Sequence, residues 1–362
     1  MEKLLKKLIS FKTETKNPQE SRKALNWIKK QVKGLPLIIK EFDSGGFPSL
    51  IITTRKTKKP RLWLQSHIDV VEGSKGMFRP KLKGRRIYGR GAFDMKFAIA
   101  CYIRLLKELG AVLSDYDFGV MITSDEEIGG FNGVKFLLDK GYRSDLCFMP
   151  DGGEDWKIEE AAKGVWHLKI ESKGVSAHGA YPWRGENALE KLFKFLLKLK
   201  GRFLQEPCEK KDHFHNTLNI GKVEGGKAAN TVPGSALALI DIRFTPQTSK
   251  KDLEKIIRSV QKEFKGVRVE EVIFGESYSI ERNNKYLKIF SKIAKEKFNK
   301  EIGFSVSHGS SDARFFAEKK IPTILTRPKG GGHHSEEEWI DLDDLEKYYE
   351  VLKLFVEKIT KK

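Results

Sequence analysis

Five groups of residues along the chain could bind a metal or move a proton. His67 and Asp69 close the run LWLQSHID, and Asp94 sits in GRGAFDMK. Glu126 and Glu127 follow FGVMITSD, Asp151 follows LCFMP, and His333-His334 follow PTILTRPKGGG. Four of these groups come after short apolar runs that read as buried strands, and Asp94 opens a helical stretch. In open α/β sheets, ligands bind outside the carboxyl ends of the strands. Imidazoles and carboxylates gathered there point to a metal site. His67, Asp94, Glu127, Asp151 and His334 are the candidate ligands. Such a mixture suits a borderline divalent metal, zinc first, with cobalt or manganese as the alternatives. Five protein ligands exceed what one tetrahedral zinc takes. They fit two ions about 3.5–4 Å apart that share a carboxylate and a hydroxide. Taken singly, each residue has an ordinary reading: a His after a strand is commonly structural, and residues 125–127 read as a solvated acidic turn. Their recurrence at successive strand ends favours the metal.

Asp69, two residues beyond His67, can accept the other ring N–H and fix the tautomer, or it is simply a turn residue. Glu126 and Glu127 are adjacent, so their side chains diverge at a strand end. One can bind metal while the other serves as general base.

The elements that must position these groups fit an α/β chain of two domains, given 362 residues. Strands are expected at 37–41, 49–53, 61–66, 118–123 and 146–150, with helices at 94–109 and 133–140. From 164 to 277 the pattern changes to strand 165–172, helix 186–200, strands 217–224 and 236–244, a helix from Ser249, and strand 267–274. Ser249 and Asp252 have capping-box spacing. The order is βαββαβ, a ferredoxin-like unit inserted in a mostly parallel α/β domain. A helix at 285–298, the segment 305–316, a strand at 323–326 and a helix at 342–359 complete the chain. The expected division is a metal-binding domain of residues 1–163 and 278–362, with an inserted lid or dimerisation domain of 164–277.

Composition excludes several classes. No apolar run reaches membrane-spanning length, and the N-terminal stretch is charged throughout, so a cytoplasmic protein is expected. Cys101, Cys147 and Cys208 are widely spaced and read as unpaired thiols of a reducing compartment. The net charge of +19 allows two readings, a nucleic-acid binder or a lysine-rich solvated surface. The lysines are spread over the chain and no nucleic-acid motif accompanies them, so the second is preferred. An inactive basic nucleic-acid-binding protein on a hydrolase fold remains the remote alternative.

In SHIDVV, GRGAFDMK, SDEEIGG, GVSAHGAYPWRGENA, GGKAANTVPGSALALIDIR, SSDARFF and HHSEEEWI, the chain resembles the di-zinc metallopeptidases and deacylases. That family includes succinyl-diaminopimelate desuccinylase, acetylornithine deacetylase, aminoacylase and related carboxypeptidases and dipeptidases. The seven motifs occur in the family's order and cover nearly the whole chain. The resemblance implies a zinc-exopeptidase-like catalytic domain. In it, His67 and Asp151 hold one metal, Glu127 and His334 the other, Asp94 bridges them, and Glu126 is the general acid/base. It also implies a cis peptide bond after Asp94. His178 would reach the metal site of a partner subunit and stabilise the oxyanion, which implies a homodimer through the inserted domain. Asn230 and Arg243 match substrate-binding positions, although Arg243 could instead pair with Asp241. Gly309 and Ser310 would line the pocket, with Asp312 and Arg314 holding their loop. His334 is preferred over His333 because Glu338-Trp339-Ile340 follows it at the family spacing. Phe97-Ala98 and His308 depart from the family, standing where glycines are usual. Asp151 stands where the deacylases and carboxypeptidases tend to carry Glu and the amino- and dipeptidases Asp. The expected reaction is therefore amide hydrolysis in small peptides, with N-acyl-amino-acid deacylation as the alternative.

Overall fold

The computed structural model describes residues 1–203 and 213–362. Cys208 lies outside the described residues. Cys101 and Cys147 are buried and unpaired. The described chain forms two units. One comprises Met1–Glu160, Ile280–Ser305 and Ser311–Lys362; the other comprises Ala161–Ser279 and Val306–Ser310. Among the described residues, no helix is long and apolar enough to cross a membrane.

The first unit is built on a mixed six-stranded sheet. Its order is Ile38–Ser44, Phe47–Thr53, Phe118–Thr123, Leu62–His67, Leu146–Phe148, Thr323–Ile324. The first two strands form an antiparallel hairpin, and Phe47–Thr53 runs antiparallel to Phe118–Thr123. The remaining four strands are mutually parallel. Leu62–His67 and Phe118–Thr123 are buried at every position, as continuous apolar strands covered on both faces should be. His67 pairs in register with Thr123, so these two strands release their following residues at one edge of the sheet.

The helix Lys96–Leu109 is buried on nearly all faces, with Phe97 edge-on to Tyr348 at 6.3 Å. Phe97 therefore packs in the core between this helix and Tyr348. The helix expected at 133–140 is instead a π-helical turn, Phe131–Lys135, running into the short helix Phe136–Asp139. The Asp125 carboxylate takes the Asn132 N–H at 2.7 Å, which fixes the start of that turn. A second, small sheet in this unit had no counterpart in the expected elements. It orders Gly330–Gly331, Trp339–Asp341, Arg86–Tyr88 and Lys81–Lys83, and it carries the His334 turn between its first two strands.

The second unit has a four-stranded antiparallel sheet, ordered Thr217–Gly225, Ser235–Phe244, Gly164–Lys173, Val267–Gly275. Burial alternates along Gly164–Lys173 and Ser235–Phe244, so one face is packed. That face meets the helices Ala188–Lys200 and Lys250–Gln261 in a core containing Trp166, Ile170, Ile240, Leu192, Phe195 and Leu253. Asn187 caps the first helix, and Ser249 with Asp252 forms a reciprocal capping box on the second.

Candidate metal centre

His67 ends its strand at 1% exposure. Its Nε2 lies 3.4 Å from Asp94 Oδ1 and 3.9 Å from Asp151 Oδ1. The other oxygen of Asp94, Oδ2, lies 3.2 Å from His334 Nε2, which is also 3.2 Å from Glu127 Oε2. Asp94 thus turns one carboxylate oxygen toward each imidazole. The ligand atoms fall into two groups, His67–Glu126–Asp151 and Asp94–Glu127–His334, each within 4.8 Å. His333 instead points its Nδ1 at Glu154, 3.5 Å away. The peptide bond between Asp94 and Met95 is cis.

The donors fit divalent cations. His67 Nε2 and Asp94 Oδ1 are buried and neither makes a hydrogen bond within the described protein. Buried polar atoms are almost always satisfied, so an imidazole nitrogen and a carboxylate oxygen that face each other without protein partners are suited to a divalent cation. The electrostatics of the cluster agree with this. Burial alone would lower the His67 pKa, but the Asp69 and Asp94 carboxylates raise it well above the ordinary range. Hydrogen bonds donated to Asp94 and then to Glu127 push His334 up to about 10. Burial works to raise Asp94, yet the two imidazoles hold it well below the usual carboxylate range. Burial and then the Asp94 charge raise Asp151 strongly. Without metal, protons supply the positive charge this cluster demands. Burial, with the Asp151 charge next, also raises Glu126 well above the ordinary range, which favours a group that must hold a proton during turnover.

The loop bearing Glu126 and Glu127 is a single tight turn, Glu126–Ile128, closed by Gly129 and Gly130, both at positive φ. A Cβ on Gly130 would sit 1.8 Å from Asp312 Oδ1, so only glycine fits there. Arg314 Nη2 donates to the Gly129 carbonyl at 2.5 Å. Asp312 and Arg314 therefore border the turn that carries the two glutamates.

Asp69 meets His67 through its backbone as well as its side chain. The carbonyl of Asp69, not its carboxylate, takes the close contact with His67 Nδ1, at 2.9 Å against 3.5 Å. The carboxylate accepts instead from Thr15 Oγ1 at 2.9 Å, Glu126 N at 3.3 Å and Glu127 N at 3.2 Å. The reason is competition. Backbone amides at the neighbouring strand end need an acceptor, and a carboxylate serves them better than a carbonyl does. Asp69 therefore orients His67 through its backbone and anchors the glutamate turn through its side chain.

Sequence reasoning gave no role to Glu338, which is 1% exposed. Its carboxylate accepts from the amides of Gly91, Phe93 and Asp94 and from Arg90 Nη1. The signal was a third consecutive glutamate beside an apolar Trp-Ile pair, where a solvated run should have ended.

The remaining candidates belong to the second unit. His178 is exposed and pairs with Thr231 across a short antiparallel bridge. Its Nδ1 accepts the Ala180 N–H at 3.1 Å, so the neutral ring carries its proton on Nε2. Asn230 is exposed, and its carbonyl accepts the Gly179 N–H at 2.6 Å. Arg243 Nε lies 3.0 and 3.1 Å from the two oxygens of Asp241, the pairing that competes with substrate binding. Gly309 N donates to Ser307 Oγ at 3.2 Å, and Ser310 is half-buried beside it. His308 lies edge-on to Phe214, with ring centroids 6.1 Å apart.

Comparison with known proteins places the chain in a family. The chain belongs to Peptidase family M20/M25/M40, whose profile matches residues 63–358, and it is a metal-dependent hydrolase of that family. A succinyl-diaminopimelate desuccinylase of Rickettsia rickettsii (strain Sheila Smith) is 29% identical over 381 aligned positions, covering 98% of each chain. Among solved structures, aminopeptidase PepT of Bacillus cereus superposes with a TM-score of 0.78 at 20% identity, covering 98% of this chain and 96% of that one. The metallo-carboxypeptidase Sso-CP2 of Sulfolobus solfataricus gives 0.75 at 17% identity, covering 98% of each chain. These two likenesses establish the shared α/β fold.

Proposed function

We propose that the chain hydrolyses the amide bond of small peptides, in the manner of a dipeptidase or aminopeptidase, with two divalent ions at the centre described above. The observation that carries the hydrolytic reading is Asp94, which directs one oxygen to each of two imidazoles that belong to separate carboxylate-rich groups. His67 and Asp151 would hold one ion, Glu127 and His334 the other, and Asp94 both, zinc being the first choice for this donor set. Two such ions would supply an acidified water and polarise the substrate carbonyl. Glu126, adjacent to His67 and Asp151, takes the proton from the attacking water and returns it to the leaving amine. Its raised pKa suits both halves of that exchange.

His178 would donate its Nε2 proton to the developing oxyanion, a role its fixed tautomer supports. Asn230, Arg243, Gly309 and Ser310 would bind the substrate. The second unit would act as the lid and as the surface of a homodimer. An association surface is supported by the apolar face left open on Ala188–Lys200, where Phe193 is 48% and Leu197 67% exposed.

Deacylation of N-acyl amino acids is the second reading, supported by the desuccinylase relatives. Asp151, of the type that resembles the peptidase branches, favours peptides. A panel of dipeptides, N-acetyl, N-succinyl and longer N-acyl amino acids on metal-loaded protein decides between them. Turnover of dipeptides is expected, and preference for an N-succinyl substrate would replace this reading with the second.

A further inference from the structure

Three glutamates stand together at 336–338, and they behave differently. Glu336 meets Ser74 at the surface, with Ser74 Oγ 2.7 Å from its carboxylate. Glu337 is exposed, whereas Glu338 is 1% exposed. The small sheet explains the burial. Trp339 pairs with Tyr88 and Ile340 with Ile87, and the ladder continues where Gly89 N donates to the Glu338 carbonyl at 3.0 Å. This register aims the Glu338 side chain at the turn that follows Gly89.

That turn passes through Gly91 at φ +84, where a Cβ would meet Lys96 Cδ at 2.7 Å. It points successive amides inward as an anion nest. Glu338 Oε2 accepts from Gly91 N and Arg90 Nη1, both at 2.9 Å. Oε1 accepts from Phe93 N at 2.8 Å and Asp94 N at 3.0 Å. Each carboxylate oxygen thus takes two donors. Arg90, 3% exposed, is itself tied to the Glu72 carbonyl at 3.2 Å. An ion pair between Arg90 and Glu338 would account for one of these bonds. The other three converge on the loop of Asp94, and the last is the amide of Asp94 itself.

From this geometry we propose that Glu338 is a positioning residue for the metal centre. Its carboxylate fixes the Asp94 loop, and because His334 lies four residues earlier on the same segment, it holds the bridging carboxylate and His334 in mutual register. The inference rests on the two-metal reading above. The chemistry requires a carboxylate. In Glu338→Gln, the amide NH2 would face two N–H donors in place of accepting from them. In Glu338→Asp, the acceptors remain but sit one methylene short.

The test titrates zinc or cobalt into chelator-stripped chain against a competing indicator, with the cobalt absorption spectrum recorded alongside. Wild-type chain should bind two equivalents. Glu338→Gln should bind one equivalent about 10–100-fold more weakly, in the range found when partners of metal ligands are removed. It should also change the cobalt spectrum while keeping a native circular dichroism spectrum. Glu338→Asp should fall between the two and carries the test if the Gln variant does not fold. Glu336→Gln should match wild type. Wild-type affinities and spectrum in any folded Glu338 variant overturn the proposal, as does a loss that only tracks the unfolded fraction. A wild-type chain that binds no metal would overturn the two-metal reading itself, and the proposal with it.

Discussion

In the first unit His67, Asp69 and Asp94 sit in buried surroundings and only His334 is exposed among the candidate ligands, whereas in the second unit His178 and Asn230 are exposed and Arg243 is half-buried on a strand. His67, Asp94 and Asp69 are all less than 10% exposed, and two buried carboxylates, those of Asp69 and Glu338, brace the backbone around them. Asp69 takes the amides of Glu126 and Glu127, and Glu338 takes those of Gly91, Phe93 and Asp94. In the second unit, His178 and Asn230 are held by local backbone pairing, with the His178 ring also accepting the Ala180 N–H. On the function proposed above, the contrast would separate two jobs. A metal pair needs ligands fixed to a fraction of an ångström before anything binds, and buried amide-to-carboxylate bonds provide that. Groups that meet the substrate as a lid closes can be placed at the moment of binding.

Substitutions sharpen this contrast, beginning with the largest effect. Glu126→Ala should lower kcat by about 100- to 10,000-fold, the usual worth of a general base, while elemental analysis finds the metal content unchanged. Lost metal would make Glu126 a ligand, in line with its place beside His67 and Asp151. His178→Ala should lower kcat by about 100- to 1,000-fold, as for loss of one oxyanion donor, with metal content and folding intact. If His178 serves a partner's site, mixing the inactive Glu126→Ala and His178→Ala chains should restore turnover. No recovery from mixed chains shown to exchange subunits would place His178 within its own subunit's site.

Asp69→Asn should cost about 10–100-fold in activity or metal affinity. The Asn retains one acceptor oxygen for Thr15, Glu126 and Glu127, and the His67 contact persists because it is made by the backbone carbonyl. An effect as large as that of Glu126→Ala would mean that the 3.5 Å approach of the carboxylate to the ring outweighs the backbone contact.

The smallest effect concerns pH in the metal-free chain. His334 is raised from 6.5 to about 10 in the folded state, so the protonated imidazole stabilises the fold. That contribution is fully present below pH 6.5 and is lost as pH rises through 10. The melting temperature of chelator-treated protein should therefore fall over this window, and zinc should suppress the fall by taking the proton's place. A metal-free chain with no slope there would contradict the charge demand assigned to Asp94 and Glu127.

Much of this was legible in the sequence where the signal is long and periodic. The strands at 61–66 and 118–123 lie within a residue of Leu62–His67 and Phe118–Thr123, because fully buried strands read as unbroken apolar runs. The ligand-type residues at their ends followed directly. The small sheet was invisible because strands such as Lys81–Lys83 and Arg86–Tyr88 are too short to show a period. The bonds of Asp69 and Glu338 were hidden for a different reason. Their partners are backbone amides, which carry no residue identity, and Glu338 meets the Asp94 amide across a separation of 244 residues. The choice between His333 and His334 likewise depends on the turn that sends one ring to Glu154 and the other to Asp94.

On this reading, separate strand ends converge on a pair of divalent ions shared through Asp94. Anomalous scattering from zinc-loaded crystals, collected with elemental analysis of the same protein, tests it most directly. Two peaks are predicted, one beside His67 and Asp151 and one beside Glu127 and His334, with Asp94 in contact with both. Absence of any peak among these residues after zinc is supplied, or one ion held without Asp94, would contradict the account.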